Sequence, residues 1–332
     1  NGTDTAWLSV NADAGSTIVL ETADVDQLRV YDANGAALQV NHVLAETEDA
    51  SSFQFTATED GPIHVAIDAK ANSAETVNVR VTSNHGKPIY TDDQIAFQLT
   101  DGYWQSFISL PGGFDASPGD TITFDVTGLN DGGKKLARWS LEAWHAATGL
   151  NFVETSGTAQ ITFADNENGA YASVNQDANG FVPDAFVNVS RDWIRTYTTR
   201  IDEYGFQTYK HEVGHVLGLG HAGNYNFDPF GPPISWRNDA MYANDGWHRT
   251  VIAVQNIYGV PTNVRTGDTV YGFNTNLDGY MKVLFNEMTG QGSSRDVGNE
   301  PVTMAIYDSG GRDRIDFRND TSDQRIWLHQ GG

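Results

Sequence analysis

The sequence predicts an α+β domain preceded by an all-β sandwich and followed by a short C-terminal β segment. Three observations predict this. Residues 5–82 alternate apolar and polar side chains between turn signals. Residues 131–148 switch to three-and-four spacing, the period of a helix. From about residue 262 the chain is again broken by Gly-Asp and Gly-Gly pairs, which reads as strands and turns. The expected domains are 1–88, 89–261 and 262–332.

In the first domain, Ser16-Thr17-Ile18-Val19-Leu20, Gln27-Leu28-Arg29-Val30-Tyr31 and Pro62-Ile63-His64-Val65-Ala66-Ile67 carry strand-forming side chains. Asp32-Ala33-Asn34-Gly35 and Glu59-Asp60-Gly61-Pro62 supply the turns between them. The run Thr76-Val77-Asn78-Val79-Arg80-Val81 closes a unit of sandwich size, and Asn84-His85-Gly86-Lys87-Pro88 reads as a linker. His42, His64 and His85 are read here as surface or half-buried side chains.

In the second domain, Leu136, Trp139, Ala143, Trp144 and Ala147 define an amphipathic helix with Asp131 at its entrance and Gly149 past its end. The two tryptophans are expected to pack on a sheet. Strands are expected at 151–154, 160–163, 170–174 and 186–189, followed by a helix at 208–219.

Charge and composition exclude several function classes. Twenty Lys and Arg against 43 Asp and Glu leave a net charge of −23, which repels nucleic acid and anionic lipid. No apolar run reaches the length of a membrane span. The start, Asn1-Gly2-Thr3-Asp4, lacks a basic-then-apolar layout, so any targeting segment is expected to lie outside this sequence. With no cysteine, thiol nucleophiles, Cys-type zinc sites and iron–sulfur clusters are ruled out.

One string carries chemistry: His211-Glu212-Val213-Gly214-His215-Val216-Leu217-Gly218-Leu219-Gly220-His221. On a helix, His211 and His215 project from one face about 6 Å apart along the axis. Two imidazoles so spaced can meet one Zn²⁺. Gly218 can end the helix with a positive φ and turn the chain so that His221 supplies a third nitrogen. Three neutral histidines leave a position open for water. Glu212, beside the first ligand, can take that water's proton and pass it to a leaving amine.

The long motif HEVGHVLGLGH matches the metzincin endopeptidases. Its surroundings resemble the serralysin family: YGFQTYKHEVGHVLGLGHAGNYN at 204–226, with Ala222 in place of the usual Pro, NDAMYANDGW at 238–247, and VIAVQNIYG at 251–259. RTGDTVYGFNTN at 265–276 and YDSGGRDRIDF at 307–317 resemble the start of that family's calcium-binding β-roll. Residues 5–82 resemble pre-peptidase-type β-sandwich modules, notably in LRVYDANGAAL. The resemblance implies a secreted, zinc-dependent endopeptidase with a metzincin catalytic domain, an N-terminal sandwich and a truncated β-roll.

It also implies particular roles. An extended peptide would pair with an edge strand that includes Gly169, Ala170, Tyr171, Ala172 and Ser173. Arg265, Gly267 and Thr269 would offer carbonyls to Ca²⁺, Asp308, Gly310 and Asp313 would complete that site, and Gly311 would serve a second one. The partners expected are protein or peptide substrates and a proteinaceous inhibitor.

One departure stands out. The family's Met-turn, Ser-x-Met-Ser-Tyr, has no counterpart, and Trp247-His248-Arg249-Thr250 runs straight into Val251 where the family has more chain. The sequence is therefore expected to join, at Thr250/Val251, residues that flank a loop it leaves out, a natural deletion or an engineered excision being the alternatives, with Tyr242 as a surrogate metal ligand the remotest reading. Without the Met-turn, the second functional reading is a catalytically impaired metzincin-like protein that binds polypeptides without turnover. Asp125 and Asp131 are read as turn residues, and His145 and His248 as structural.

Overall fold

A computed structural model describes residues 5–23, 25–43, 50–69, 79–83, 92–106, 112–223, 247–292, 295–298, 300, 302, 304–320 and 326. The chain divides into two compact units, residues 1–92 with 323–332, and residues 93–322.

The described residues of the first unit form eight strands: β1 Thr5–Ala12, β2 Thr17–Ala23, β3 Val25–Tyr31, β4 Ala37–Leu38, β5 Asn41–Val43, β6 Ala50–Thr56, β7 Gly61–Ala69 and β8 Val79–Ser83. They form two antiparallel sheets, ordered β1-β7-β3-β4 and β5-β6-β2-β8. Inward residues of both sheets meet in one core that includes Ile18, Leu20, Val30, Phe55, Ile63 and Val65. The Asp32–Gly35 turn is fixed by Asp32 Oδ1, which accepts the N–H groups of Asn34 and Ala36, while Gly35 takes φ +81°. His64 is bonded to Ser9 Oγ at 2.8 Å.

The second unit opens with three short helical pieces: α1 Asp92–Phe97, a π-helix Gln98–Gly102, and α2 Tyr103–Ser106. Strand β9 Thr121–Gly128 then leads into helix α3 Asp131–Thr148. Asn130 caps α3 by accepting the Gly133 N–H, and Gly149 ends it at φ +68°. After α3 come β10 Asn151–Glu154, β11 Ile161–Ala164, β12 Ala170–Asn175 and β13 Asp184–Val189. The five strands form one sheet ordered β10-β9-β11-β13-β12, parallel throughout except for the antiparallel edge strand β12. Helices α4 Arg191–Tyr197, α5 Tyr204–Val216 and α6 Trp247–Tyr258 follow, and α6 runs unbroken through Thr250 and Val251.

The two tryptophans of α3 meet α5, where the sequence reading had placed them on a sheet. Trp144 is fully buried and donates its indole N–H to the Lys210 carbonyl at 3.0 Å. Trp139 meets Phe206 edge-on at 6.3 Å. The apolar stripe of α3 thus serves the helix that carries the histidines, because a tryptophan needs a partner for its N–H and a helix backbone offers one.

The C-terminal part holds a helix that the turn-rich reading passed over: α7 Gly279–Met288, which buries Tyr280, Met281, Leu284 and Phe285. Two strands, β14 Val270–Gly272 and β15 Arg314–Asp316, pair in parallel with Tyr271 opposite Ile315. A parallel pair cannot close through a tight turn, and here residues 273–313 form the crossover. No helix among the described residues is long and apolar enough to cross a membrane.

Candidate metal centre and active site

Helix α5 carries His211, Glu212 and His215 on consecutive and one-turn positions. It ends at Val216, and Gly218 takes φ +98°, a conformation that L side chains rarely adopt. A Cβ at Gly218 would also lie 1.8 Å from the Gly112 carbonyl oxygen. Only glycine fits this turn, and the turn brings His221 back over the helix.

The three rings converge. Nε2 of His211 lies 3.0 Å from Nε2 of His215 and 3.5 Å from Nε2 of His221. Among the described residues this is the one group of three or more His, Asp or Glu side chains close enough to share a metal ion. Tetrahedral bonds of ~2.0–2.1 Å would hold ligand nitrogens about 3.3–3.4 Å apart, so the spacing suits zinc. Chemistry fits as well. Burial lowers the pKa of all three histidines, that of His221 to about 3, and His211 is lowered further by its two neighbours. The rings are therefore neutral at neutral pH. The Leu219 carbonyl lies 2.8 Å from His215 Nδ1, which fixes that nitrogen as the N–H donor and leaves Nε2 as the lone pair.

Glu212 is 5% exposed. Burial pushes its carboxyl up to about 8, opposed by the nearby Ala172 backbone N–H. A dication close by would draw that pKa down again. Ala172 lies on β12, at the edge of the five-stranded sheet. The structure thus brings the strand proposed from the sequence, with Ala170, Tyr171 and Ser173 beside Ala172, against the acidic residue of the motif. Gly169 precedes the strand at φ +79°, and its carbonyl accepts the Ser190 N–H and the Asn188 amide. The Tyr171 hydroxyl donates to Glu167 at 2.5 Å.

The residues expected to hold calcium lie on two segments that run side by side. Thr269 donates its N–H to Asp313 Oδ1 at 2.9 Å, and its carbonyl accepts the Arg314 N–H at 2.8 Å. The Gly267 carbonyl accepts the Thr269 hydroxyl, and Gly311, at φ +120°, packs against that carbonyl. Asp308 accepts the Gly310 N–H with one oxygen and the Tyr271 hydroxyl with the other. Arg265 has φ +50°, and its guanidinium reaches the Tyr307 carbonyl and Met281 Sδ. Carbonyls and carboxylates of this kind are the hard oxygen donors that calcium takes.

Of the other residues weighed in the sequence, Asp125 and Asp131 are not the turn residues expected: Asp125 lies within strand β9, where it accepts the Thr127 N–H, and Asp131 opens helix α3, where its charge suits the positive end of the helix dipole. His145 Nδ1 lies 2.7 Å from the Leu150 carbonyl just past the end of α3. Met241 and Tyr242 lie outside the described residues. The sequence reading missed the segment at 92–106, which packs on the His221 turn. Leu99 accepts the Gly220 N–H, and Trp104 donates to the Gly218 carbonyl. Its only local signal is the spacing of Ile95, Ala96 and Leu99, which covers little more than one helical turn.

Comparison with known proteins follows the same line. The family model described as Peptidase M10 serralysin C terminal matches residues 261–332. Serralysin B of Dickeya chrysanthemi is 29% identical over 304 residues, covering 74% of this chain and 58% of that protein. Metallopeptidase AprA of Pseudomonas marginalis is 26% identical over 296 residues, covering 74% and 59%. Serralysin of Photorhabdus luminescens is 29% identical over 244 residues, covering 62% and 46%. The chain thus spans less than three fifths of the length of these relatives.

Proposed function

The chain belongs to the serralysin family of metalloproteases, and on that premise we propose that it is a secreted, zinc-dependent endopeptidase that cleaves extended protein substrates. The observation that carries the reading is the convergence of three neutral imidazole nitrogens next to a buried carboxylate that touches an edge strand. In this reading residues 89–261 form a metzincin catalytic domain, 1–88 an N-terminal sandwich, and 262–332 the first turn of a β-roll.

His211, His215 and His221 would hold the zinc. When bound, zinc supplies Lewis acidity toward the scissile carbonyl and acidifies water. Glu212 accepts one proton from the attacking water as its oxygen bonds to the carbonyl carbon. It then delivers that proton to the amide nitrogen as the C–N bond breaks, leaving an acid and a free amine. Burial favours the first half of this cycle, since a desolvated carboxylate is a stronger base than one in water. Strand β12 would pair with the substrate backbone and lay the scissile bond beside Glu212. Main-chain pairing is common to all sequences, so broad specificity is the natural outcome.

Calcium on the 265–269 and 308–313 segments would stabilise the C-terminal part and offset some of the net charge of −23. A calcium requirement suits a protein that folds after export.

The test combines casein digestion with metal content by mass spectrometry. The wild-type chain should carry one zinc and digest casein, and Glu212→Ala should keep the zinc and lose the digestion. Equal digestion by both proteins would remove Glu212 from the mechanism. Zinc bound without any digestion by wild type would favour a polypeptide-binding role.

A further inference from the structure

The turn that carries His221 is held from outside the zinc motif. Its anchor is the π-helix Gln98–Gly102 and the two aromatic residues that follow it. In an α-helix the Tyr103 N–H would bond the carbonyl of Leu99, four residues back. Here it bonds Gln98, five back. The Leu99 carbonyl instead accepts the Gly220 N–H at 2.7 Å. One extra residue in the helical turn thus redirects a backbone acceptor to the residue before His221, a use of a π-turn that fits its frequent place at functional sites.

The side chains complete the hold. The Trp104 indole N–H donates to the Gly218 carbonyl at 2.8 Å, fixing the residue whose positive φ makes the turn. The Tyr103 ring lies against the Cα of Gly220, where a Cβ would come within 2.1 Å of its Cγ and Cδ1. The same ring meets the imidazole of His221 edge-on, with centroids 5.4 Å apart and planes at 74°. Two hydrogen bonds and one ring contact therefore act on three of the four residues from Gly218 to His221. His211 and His215 sit on a regular helix and need no such device. His221 hangs on a turn of two glycines, the most conformationally free residues of the chain.

We infer that Tyr103 and Trp104 are positioning residues for His221, and that they set the affinity and geometry of the third zinc ligand from a segment more than a hundred residues earlier in the chain. The inference rests on the zinc reading above. They touch neither substrate nor reacting atoms and act only through the turn.

The test uses the full chain, stripped of metal and titrated with zinc against a competing chelator. Four proteins are compared: wild type, Tyr103→Ala, Tyr103→Phe and Trp104→Phe. Cobalt(II) absorption spectra report the ligand geometry, and thermal unfolding of the metal-free proteins reports the scaffold. Tyr103→Ala and Trp104→Phe should each weaken zinc by about 10-fold or more, the range for outer partners of metal ligands, and should shift the cobalt bands. Tyr103→Phe keeps the ring and should restore both. Trp104→Phe should leave the metal-free unfolding midpoint nearly unmoved, which keeps the test valid even if Tyr103→Ala folds poorly. Unchanged zinc affinity and cobalt spectra in Trp104→Phe would overturn the inference, as would losses matched by lower metal-free stability with an unshifted spectrum. A wild-type chain that takes up no zinc would instead refute the zinc reading itself, and the inference with it.

Discussion

The carboxyl of Glu212 on α5 is buried close to the backbone N–H of Ala172, so the acidic residue of the zinc motif lies against the edge strand of the sheet. Helix α5 and strand β12 thus meet where, in the proposed reading, a substrate backbone would lie. Burial also limits the orientations open to the carboxyl, and a general base needs a defined orientation before it can meet a proton at hydrogen-bond distance.

Glu212→Gln separates these two roles. The amide keeps an oxygen for the Ala172 N–H and nearly the same volume, but cannot accept a proton at neutral pH. Peptide hydrolysis should fall by about 10²–10⁴-fold, the range for loss of a general base. Zinc content should stay at the wild-type level, and the unfolding midpoint should hold or rise, since a buried ionisable group is gone. Steady-state cleavage of a fluorogenic peptide alongside metal analysis checks both, and retained turnover would speak against Glu212 as the base.

Glu142 gives the chain a pH-dependent stability. It lies on α3, accepts the Tyr280 N–H at the start of α7 at 3.2 Å, and packs its carboxyl against Gly279, which takes φ +60°. Burial pushes its carboxyl up to about 7, partly opposed by that hydrogen bond and by Arg265. The folded chain therefore holds this proton more tightly than the unfolded one. Its contribution is complete below about pH 4.5 and is lost as pH rises through about 7. After allowance for partial exposure this amounts to about 2 kcal/mol. Glu142→Gln keeps an acceptor for Tyr280 and removes the titration. Denaturant unfolding at pH 5 and pH 8 should show wild type losing stability relative to the variant, and parallel behaviour at both pH values would exclude the effect.

Gly218 tests the turn itself. Gly218→Ala forces an L side chain to φ +98° and drives its Cβ into the Gly112 carbonyl. Backbone strain of this kind costs about 1–3 kcal/mol, before the clash is counted. His221 should be displaced, and zinc affinity should fall far more than helix content. Chelator competition and far-ultraviolet circular dichroism on the same sample separate the two, and unaltered zinc binding would show that the turn tolerates the substitution.

How legible this was in the sequence depends on how local each signal is. Helix α3 is written between Asn130 and Gly149, with its apolar stripe in plain period, and α5 ends where Gly218 permits it. The three histidines could be brought to one point from helix geometry and one glycine alone. Helix α7 was hidden although Tyr280, Met281, Leu284 and Phe285 have helical spacing, because Gly279 and Gly290 flank it and read as turns. The parallel pairing of Tyr271 with Ile315 joins residues far apart in the chain, and no periodicity can report it. The support for His221 was invisible for the same reason. Leu99 and Trp104 act on Gly220 and Gly218 through a π-turn, and no local pattern in residues 92–106 distinguishes that turn from an ordinary short helix.

The last prediction concerns calcium. The segments around Gly267 and Asp308 are joined mainly by backbone and carboxylate hydrogen bonds, with little apolar burial between them, and Asp268, Asp308 and Asp313 add negative charge to an already acidic chain. A bound dication would relieve that repulsion and tie the two segments together. At free calcium about 100 times its Kd, a single site adds about 2.7 kcal/mol to folding. Protein stripped with EDTA and refilled with zinc alone should therefore unfold at a lower temperature than protein refilled with zinc and calcium. The difference should vanish in Asp308→Ala and Asp313→Ala, which remove one carboxylate each, while zinc content stays unchanged. Full thermal stability on zinc alone would mean that these segments hold together without the ion.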